Sequence, residues 1–334
     1  MAVIVQKFGG TSVADAASRE YVLKKIRQER DAHNKPVVVV SAMGRRGAPY
    51  ATDTLLDMVP GGTPELQALI VSCGEIISAC IVANHLNAKG IPAKALTAYT
   101  AGIMASGPYD AARPATIQTA NLDALLKAGV IPVVTGFQGV LPDSSIATLG
   151  RGGSDTTAVA LGAWLHAEYV DIFTDVPGVA MTDPRIVPEA PYIPYLDYLS
   201  MVRLSSHGSR VLHDLSAKIA MEKNVCVRIR STFDDSPGTL IGPLGSSGRD
   251  EQRDPKSPPE ADLVGITVKE KNADGSIVTL VYKAGEGTAA AGKILEKLNA
   301  KQNSSDDADA VVFDLPKAQV KGALQAILTP YVKK

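Results

Sequence analysis

Hydrophobic residues in the first 240 positions form short uninterrupted runs, without the alternation of a strand that faces water on one side. Such runs are typical of strands covered on both faces of a parallel sheet. The runs that predict strands occupy residues 3–5, 36–41, 92–97, 130–135, 169–173 and 225–229. Helical stretches separate them, and this alternation predicts βαβ units with a mainly parallel sheet.

The predicted helices differ in length and in what they carry. They occupy residues 14–31, 64–89, 122–128, 158–165, 196–204 and 209–222. Glycine inside a helix costs about 1 kcal/mol relative to alanine, so Gly74 indicates close packing or the approach of a ligand. Its neighbour Glu75 is either a functional carboxylate or an exposed helix charge. Arg210 is expected in the first turn of the last of these helices.

The C-terminal part has a different pattern. Residues 242–261 are rich in proline, serine, glycine and charge, which is typical of a linker. Strands are predicted at 265–268, 277–282 and 310–313, and helices at 287–298 and 316–328. The sequence therefore predicts a large α/β domain over residues 1–241, a linker over 242–261 and a small α+β module over 262–334.

Three of the predicted strands end in glycine-bearing loops. These loops begin at Lys7, at Ser41 and, after the strand at 130–135, in the stretch 150–157. Ligands bind beyond the carboxyl ends of the strands in open α/β sheets, and right-handed crossovers bring those ends to one edge. We therefore expect the three loops to converge on one site.

The stretch Gly150-Arg151-Gly152-Gly153-Ser154-Asp155-Thr156-Thr157 precedes an apolar helical run. Glycines let backbone N–H groups approach a ligand, and a helix N-terminus favours an anion. Ser154 or Asp155 is expected to cap this helix, and Arg151 offers a planar fork for a carboxylate or phosphate. Lys7 can reach a phosphate held by its glycine loop. The alternatives are an ordinary capped turn and a solvated lysine.

Composition narrows the function classes. The chain has 334 residues and a net charge of −1, so electrostatics gives no reason to expect a nucleic-acid partner. The three cysteines are scattered, which favours a reducing cytoplasm over a disulfide framework. The first residues do not resemble a signal peptide, no uninterrupted apolar run approaches the roughly 18 residues of a membrane span, and no metal-ligand cluster is expected.

Taken together, the motifs resemble those of aspartate kinases in the amino-acid kinase family. The matching pieces are Lys7-Phe8-Gly9-Gly10-Thr11-Ser12-Val13, Val39-Val40-Ser41-Ala42-Met43, Ser72-Cys73-Gly74-Glu75, Gly136-Phe137-Gln138-Gly139, residues 150–157, Thr174-Asp175-Val176 with Asp183-Pro184-Arg185, and residues 228–232. They follow the family's order over residues 3–241. The loop at 44–56 looks most like aspartate kinases of Gram-positive bacteria. The resemblance implies a three-layer α/β kinase fold followed by ACT modules, of which this chain has room for one.

The resemblance also implies residue roles. Lys7 would neutralise charge on the transferring phosphoryl group, Asp155 would organise the cationic groups and the metal–phosphate assembly, and Arg210 would complete the catalytic set. The aspartate pocket would contain Ser41, Thr52, Glu75, Arg151 and Ser154. Within it Arg151 would hold the α-carboxylate, and Glu75 would face the amino group. The nucleotide site would contain Lys7, Gly9, Gly10, Thr174, Asp175, Arg185 and Arg210.

The implied enzyme is a cytoplasmic homodimer that uses ATP and Mg²⁺ to convert L-aspartate to 4-phospho-L-aspartate. This reaction is the first step of lysine, threonine and methionine biosynthesis. Two alternatives stay open: a kinase of a related amino-acid carboxylate, and a catalytically weak paralogue that serves as a regulatory or ligand-binding subunit.

Three departures from the family pattern matter. The changes at Arg210, Asp214 and Ala180 favour the alternatives, whereas Lys7, Arg151 and Asp155 favour an active enzyme. The family's Gly-Ala-Lys-Val-Leu-His-Pro-Arg is replaced by Gly208-Ser209-Arg210-Val211-Leu212-His213-Asp214-Leu215, and Ala180 stands where an aromatic residue is usual. The single C-terminal module has the segment Gly285-Glu286-Gly287-Thr288-Ala289 in place of the usual Pro-Gly effector loop.

Overall fold

The computed structural model describes residues 1–243, 263–283 and 287–332, with the backbone alone for 287–290. The chain folds into two compact units. The first unit contains Met1–Pro177 and Lys218–Pro237, and the second contains Gly178–Ala217 and Gly238–Lys334. Most of the predicted linker, residues 242–261, lies outside the described residues, so the predicted domain boundaries stay predictions.

A six-stranded parallel sheet forms the centre of the first unit. Its strands are β1 (Val3–Phe8), β2 (Lys35–Val40), β3 (Ala93–Leu96), β6 (Ile131–Thr135), β9 (Tyr169–Thr174) and β11 (Val227–Ser231). They lie in the order β11-β9-β1-β2-β6-β3, and each pair is parallel. All six strands fall at the predicted runs, and the parallel sheet is confirmed.

Helices cover both faces of this sheet. They are α1 (Gly10–Val13), α2 (Ala16–Asp31), α3 (Thr52–Leu56), α4 (Pro64–Ala88), α5 (Ala120–Lys127) and α6 (Gly153–Trp164). Helices α2 and α4 share one core with Phe8, Val38, Val40 and Phe173. Helix α6 contacts β1, β2 and β9 through ten consecutive buried residues. The predicted three-layer α/β architecture is therefore present.

A small four-stranded sheet in the first unit was not predicted. It contains β4 (Ile103–Ser106), β5 (Arg113–Ile117), β7 (Gln138–Val140) and β8 (Ile146–Thr148) in the order β5-β4-β7-β8. Its strands have three to five residues and bury a core of mostly alanines and leucines. Strands this short contain no hydrophobic run that distinguishes them from a loop in the sequence.

The second unit contains an antiparallel sheet of β13 (Leu263–Glu270), β14 (Gly275–Tyr282) and β15 (Ala310–Pro316), with α9 (Gly287–Lys297) and α10 (Lys317–Leu328). It also contains β10 (Tyr195–Asp197), α7 (Tyr198–Ser206) and β12 (Thr239–Gly242). Met181, Val187 and Ala190 share one hydrophobic core with the three-stranded sheet. The predicted α+β module is confirmed, and residues 178–217 pack with it.

Helix α8 (Asp214–Lys223) begins later than the sequence predicts. Gly208 has φ +117° after α7, and residues 209–213 are irregular. Leu212 in this segment is fully buried, and the acidic Asp214 suits a first helical turn. The expectation that Arg210 lies in the first turn of a helix is therefore wrong.

Helix α4 is long and apolar enough to cross a membrane, judged by length and composition alone. Its most apolar 18-residue window has a mean hydropathy of 2.0, and half of that window is buried inside the structure. A core helix passes the same test, so this is weak evidence of a span. The sequence shows no uninterrupted apolar run of this length because Glu75 interrupts the stretch.

Helix α6 ends at Trp164, which is half-buried and is the only tryptophan in the sequence. The ammonium group of Lys223 in α8 lies 5.3 Å from the centre of its ring. This distance is within the range of a cation–π contact.

Candidate active site

The carboxyl ends of β1, β2, β6 and β9 meet at one edge of the parallel sheet. The Ser41 N–H donates to the Phe8 carbonyl over 3.1 Å, and the Gly136 N–H donates to the Val40 carbonyl over 2.9 Å. The Gly44 N–H donates to the Gly10 carbonyl over 2.9 Å. The predicted convergence of the glycine-bearing loops is thus confirmed for the loops that follow β1 and β2.

Two glycines allow the backbone segments at this edge to approach one another closely. A Cβ atom at Gly10 would lie 2.6 Å from the carbonyl oxygens of both Ala42 and Gly44. A Cβ atom at Gly136 would lie 2.6 Å from the Ser154 Oγ. The second contact brings the start of α6 to the end of β6, so the third glycine loop joins the same edge.

Lys7 and Asp155 form an ion pair at this edge. The Lys7 Nζ lies 2.7 Å from the Asp155 Oδ1, and the two side chains are only 12% and 13% exposed. Lys7 comes from β1, and Asp155 comes from the first turn of α6. The pair therefore places a cation and an anion beside free N–H groups of a helix N-terminus, where phosphate oxygens bind well.

The expected capping of α6 by Ser154 or Asp155 is wrong. The helix begins at Gly153, and its N-cap is Gly152 in the left-handed conformation, with φ 67° and no side-chain cap. Glycine adopts this conformation without a steric cost. Ser154 and Asp155 consequently lie inside the first turn, and both are buried.

Glu75 is a buried carboxyl group, so its interpretation as an exposed helix charge is wrong. Its side chain is 2% exposed, and its Oε1 accepts a hydrogen bond from the Ala42 N–H over 3.1 Å. Its Oε2 is also buried and has no hydrogen-bond partner among the residues that the structure describes. Burial raises the pKa of Glu75 to about 8, although the Ala42 hydrogen bond lowers it.

Gly74 explains why Glu75 can be buried here. A Cβ atom at Gly74 would lie 2.8 Å from the Tyr50 carbonyl oxygen and 2.9 Å from the Ala42 Cβ. The missing side chain lets the segment at 42–50 pack directly on α4. The prediction of close packing at Gly74 is therefore confirmed, and this packing excludes water from Glu75.

The remaining predicted residues of the aspartate pocket are more accessible. Ser41 and Thr52 are half-buried, and Arg151 is exposed in the loop before α6. Thr52 is the first residue of α3. The roles predicted for these three residues stay predictions.

Of the predicted nucleotide site, Thr174 and Asp175 lie at the end of β9. The Thr174 Oγ1 donates to the Asp175 Oδ1 over 3.1 Å. An Arg45 Nη2 lies 2.6 Å from the Asp175 Oδ2. Arg45 was not singled out from the sequence, where the only signal was the basic character of its loop. A Cβ atom added at Gly9 would lie 3.7 Å from the Lys7 Nζ and 3.8 Å from the Phe173 carbonyl oxygen.

Arg185 and Arg210 belong to the second unit. The Arg185 Nη2 lies 2.6 Å from the Asp183 Oδ2, and this ion pair holds the pKa of Asp183 below its usual value. Arg210 lies in the irregular segment before α8 and is exposed. Their predicted roles at the nucleotide stay predictions.

Two further polar contacts join α4 and α6 to the segment that follows β6, and the sequence does not predict them. The fully buried Gln138 donates from its Nε2 to the Ser72 carbonyl over 2.7 Å. The Phe137 N–H donates to the Thr157 Oγ1 over 3.0 Å. The first bond ties the start of β7 to α4, and the second ties the loop after β6 to α6.

This edge can be compared with known proteins. The profile described as "Amino acid kinase family" matches residues 2–231. The chain belongs to the amino acid kinase family. The resemblance that the motifs indicate is therefore confirmed over residues 2–231.

Several curated relatives of this family member are aspartokinases. Aspartokinase 1 of Bacillus subtilis is 43% identical over 245 residues, which cover 72% of this chain and 61% of the relative. The aspartokinase of Thermus thermophilus is 39% identical over 246 residues, 72% of this chain and 59% of the relative. The chain thus aligns with about three fifths of the length of these relatives.

Solved structures extend the likeness to the whole fold. The aspartate kinase from Synechocystis has a TM-score of 0.63 and 31% identity, covering 100% of this chain and 56% of that chain. E. coli aspartokinase III in complex with aspartate and ADP has a TM-score of 0.74 and 21% identity, covering 99% of this chain and 100% of that chain. At this identity the second likeness establishes the fold, which is that of an amino acid kinase with a small antiparallel C-terminal sheet.

Proposed function

We propose that this member of the family is an aspartate kinase, which transfers the γ-phosphoryl group of ATP to the side-chain carboxylate of L-aspartate. The observation that carries the proposal is the Lys7–Asp155 ion pair at the edge of the sheet where the buried Glu75 accepts a hydrogen bond from the Ala42 N–H. Curated relatives at about 40% identity are aspartokinases, and an E. coli relative was crystallised with aspartate and ADP.

The chemistry of this transfer suits the residues at the edge of the sheet. The nucleophile is a carboxylate with a reference pKa near 3.9, so it is ionised at neutral pH and needs no general base. Catalysis then consists of aligning two anions and neutralising the charge between them. Lys7 supplies a cation, and the first turn of α6 supplies backbone donors.

Glu75 would recognise the amino group of the substrate. An ammonium group donates three hydrogen bonds, and the Glu75 Oε2 is a buried acceptor without a partner in the described part of the chain. Arg151 would bind the α-carboxylate, while Ser41, Thr52 and Ser154 would complete the pocket. Selection for both ends of the amino acid would separate L-aspartate from simple diacids.

The nucleotide would lie against Gly9, Gly10, Thr174 and Asp175, with Arg185 and Arg210 as further contacts. Mg²⁺ fits this donor set because carboxylate and phosphate oxygens are its preferred ligands, and Asp155 is a carboxylate held in place by Lys7. When bound, the ion would neutralise phosphate charge, held largely by the phosphates. We place the enzyme in the cytoplasm, as a homodimer, at the first step of lysine, threonine and methionine biosynthesis.

The test is a hydroxylamine assay for acyl phosphate with ATP, Mg²⁺ and a panel of amino acids. Hydroxylamine converts an acyl phosphate to a hydroxamate but does not react with the free carboxylate. We expect L-aspartate to be the best substrate. A different preferred amino acid would indicate the sister kinase, and no product with any of them would indicate the regulatory paralogue.

The Lys7→Ala variant links the assay to the proposed site. Loss of one preorganised transition-state donor lowers kcat by about 10²–10³-fold, and we expect a loss of this size with L-aspartate. Circular dichroism should show that the variant is folded, since Lys7 is not a core residue. An unchanged kcat in a folded Lys7→Ala protein would exclude this residue from phosphoryl transfer.

A further inference from the structure

The loop that follows β2 carries two adjacent arginines whose side chains lead to different parts of the surface. The Arg45 Nη2 lies 2.6 Å from the Asp175 Oδ2, just beyond the end of β9. The Arg46 Nε and Nη1 lie 3.8 Å and 3.4 Å from carboxylate oxygens of Asp53 and Asp57, in α3 and directly after it. Only the first arginine therefore reaches the edge where the candidate site lies.

The backbone of Arg45 is held beside the glycine turn that follows β1, Gly9-Gly10. The Gly44 N–H donates to the Gly10 carbonyl over 2.9 Å, and the Ala48 N–H donates to the Arg45 carbonyl over 2.8 Å. A Cβ atom at Gly44 would lie 2.5 Å from the Ala48 Cβ, and Gly44 has φ +82°, so this turn requires glycine. The position of the Arg45 backbone is thus fixed, and its long side chain alone can change direction.

The same glycine turn contacts the end of β9 on its other side. The Gly9 N–H donates to the Phe173 carbonyl over 3.4 Å, and Thr174 and Asp175 follow Phe173 directly. The Arg45 side chain therefore reaches from the β2 side of the glycine turn to the β9 side. It joins two segments that both belong to the proposed nucleotide site.

Most of the Arg45 guanidinium group is available to a ligand. The side chain is 73% exposed. A guanidinium group has five N–H donors, and among the described residues only the Nη2 of Arg45 has an acceptor. The remaining donors form a planar fork that suits two oxygens of one phosphate. In contrast, the Lys7 side chain is only 12% exposed.

The Arg45–Asp175 pair has little value as a structural tie. Ion pairs between exposed side chains contribute little to stability, and the Asp175 side chain is 46% exposed. Backbone hydrogen bonds to Gly10 and from Gly9 already hold the glycine turn to both segments. What the pair does is orient the guanidinium group and neutralise the Asp175 carboxylate, which would otherwise repel a phosphate.

We propose that Arg45 is a further nucleotide-binding residue, which donates to the phosphates of ATP and ADP while Asp175 orients its side chain. The inference rests on the proposed function and extends its nucleotide site to the loop that follows β2. Lys7 would act on the transferring phosphoryl group from within the site, and Arg45 would hold the phosphates from the solvent side. Arg46, whose ion pairs lead to α3, would take no part.

Calorimetric titration with ADP, at one fixed Mg²⁺ concentration, measures the proposed contact. Hydrogen bonds to charged groups contribute about 10- to 100-fold in affinity, so Arg45→Ala should raise the Kd for ADP by a factor in this range. Arg45→Lys keeps the charge but not the fork and should lose less. The matched control is Arg46→Ala, which removes the same group from the neighbouring 68% exposed position and should leave the Kd unchanged.

Removal of Asp175 separates phosphate binding from a structural tie between the loops. In an Asp175→Asn background, a mere tie is already weakened, and Arg45→Ala should then have no further effect on the Kd for ADP. A phosphate contact predicts a further increase of the Kd, because Arg45 still loses its ligand. In steady-state kinetics we expect Arg45→Ala to raise KM for ATP and to leave KM for aspartate unchanged.

The outcomes distinguish this inference from the proposed function. Circular dichroism should show that the variants are folded, because both arginines are exposed. If the unmodified protein binds ADP and Arg45→Ala binds it equally well, the role of Arg45 is wrong and the proposed function is untouched. Equal losses in Arg45→Ala and Arg46→Ala, or no further effect of Arg45→Ala in the Asp175→Asn background, would also overturn the inference. An unmodified protein that binds no ADP would overturn both.

Discussion

Glu75 combines two properties at one residue: deep burial, and an acceptor oxygen with no donor in residues 1–243, 263–283 and 287–332. With its pKa raised to about 8, the carboxyl group is mostly protonated in the ligand-free protein at neutral pH. A substrate ammonium would favour the charged form and lower this pKa. Binding of the amino acid should therefore release a proton from Glu75.

This linkage predicts the pH dependence of aspartate affinity. Between pH 6 and about 8 the ionised fraction of Glu75 increases, so aspartate KM should fall by up to about tenfold per pH unit. Above pH 8 it should level off. The measurement is KM for aspartate and for ATP across this range, and Glu75→Gln should give a flat aspartate profile with a higher KM. Equal slopes in both proteins would show that another group titrates.

The same pKa predicts a stability effect that serves as the folding control. The folded state binds the Glu75 proton more tightly than the unfolded chain, so the free energy of unfolding should fall as pH rises from about 4.5 to about 8. Glu75→Gln lacks this titration. The Tm of Glu75→Gln minus the Tm of the unmodified protein should therefore be larger at pH 8 than at pH 5.

At this scale the sequence identifies the residue types of the site but not their environment. Lys7, Asp155 and Glu75 lie in motifs that can be recognised without a structure. The burial of Glu75 depends on how Tyr50 and Ala42 pack against Gly74, which is a non-local contact. The Arg45–Asp175 pair joins residues that are 130 positions apart, and no local pattern reports it.

The glycines in the helices and strands are of two kinds. Some stand where two backbone segments approach each other closely, and others have open space at the position of a Cβ atom. A Cβ atom added at Gly10 would lie 2.6 Å from two carbonyl oxygens, and these backbone atoms cannot rotate away. Gly322 in α10 has no atom within 4 Å of that position. The same substitution by alanine should therefore have opposite effects at the two sites.

We expect Gly10→Ala to lower the Tm and to reduce activity, because it separates the β1 loop from the β2 loop. Gly322→Ala should stabilise the protein by up to about 1 kcal/mol, since alanine is favoured over glycine inside a helix. Thermal unfolding of both variants followed by circular dichroism would measure the contrast. A Gly10→Ala protein with unchanged Tm and activity would show that the two loops can move apart at no cost.

Long elements were easier to predict than short ones. The helix predicted at 64–89 spans Pro64–Ala88, and the one predicted at 14–31 spans Ala16–Asp31. In contrast, β7 and β8 have three residues each. Their hydrogen bonds to each other, and not their sequence pattern, define them as strands.

At the scale of the whole molecule, the sequence does not predict which residues make up the second unit. Met181, Val187 and Ala190 join the core of the C-terminal sheet, and an Arg203 Nη2 lies 2.6 Å from the Asp309 Oδ2. These contacts cross more than 70 positions of the chain. The sequence placed residues 178–217 with the kinase domain because the family motifs continue through them, and motifs do not report packing.

This unit also carries the prediction about regulation. The sequence predicts that Glu286 places a carboxylate where the carboxylate of an amino-acid effector would approach a helix N-terminus. Glu286 lies outside the described residues. Like charges repel, so lysine and threonine, singly or together, should inhibit only weakly, and the module should mainly support subunit contacts.

Titration of each amino acid to millimolar concentration at sub-saturating aspartate would measure this. Glu286→Gln removes the like charge and should strengthen any inhibition that exists. Cooperative inhibition of the unmodified enzyme at micromolar lysine or threonine would contradict the prediction and identify the module as an intact sensor.

Trp164 gives the molecule an optical probe that reports on one unit alone. Because it is the only tryptophan and lies in the first unit, its emission during heating follows that unit, while circular dichroism follows both. Coincident transitions would show that the two units unfold as one cooperative body. Since Trp164 ends the helix that begins beside Lys7 and Asp155, the same emission also offers a label-free signal for ligands that bind at the opposite end of α6.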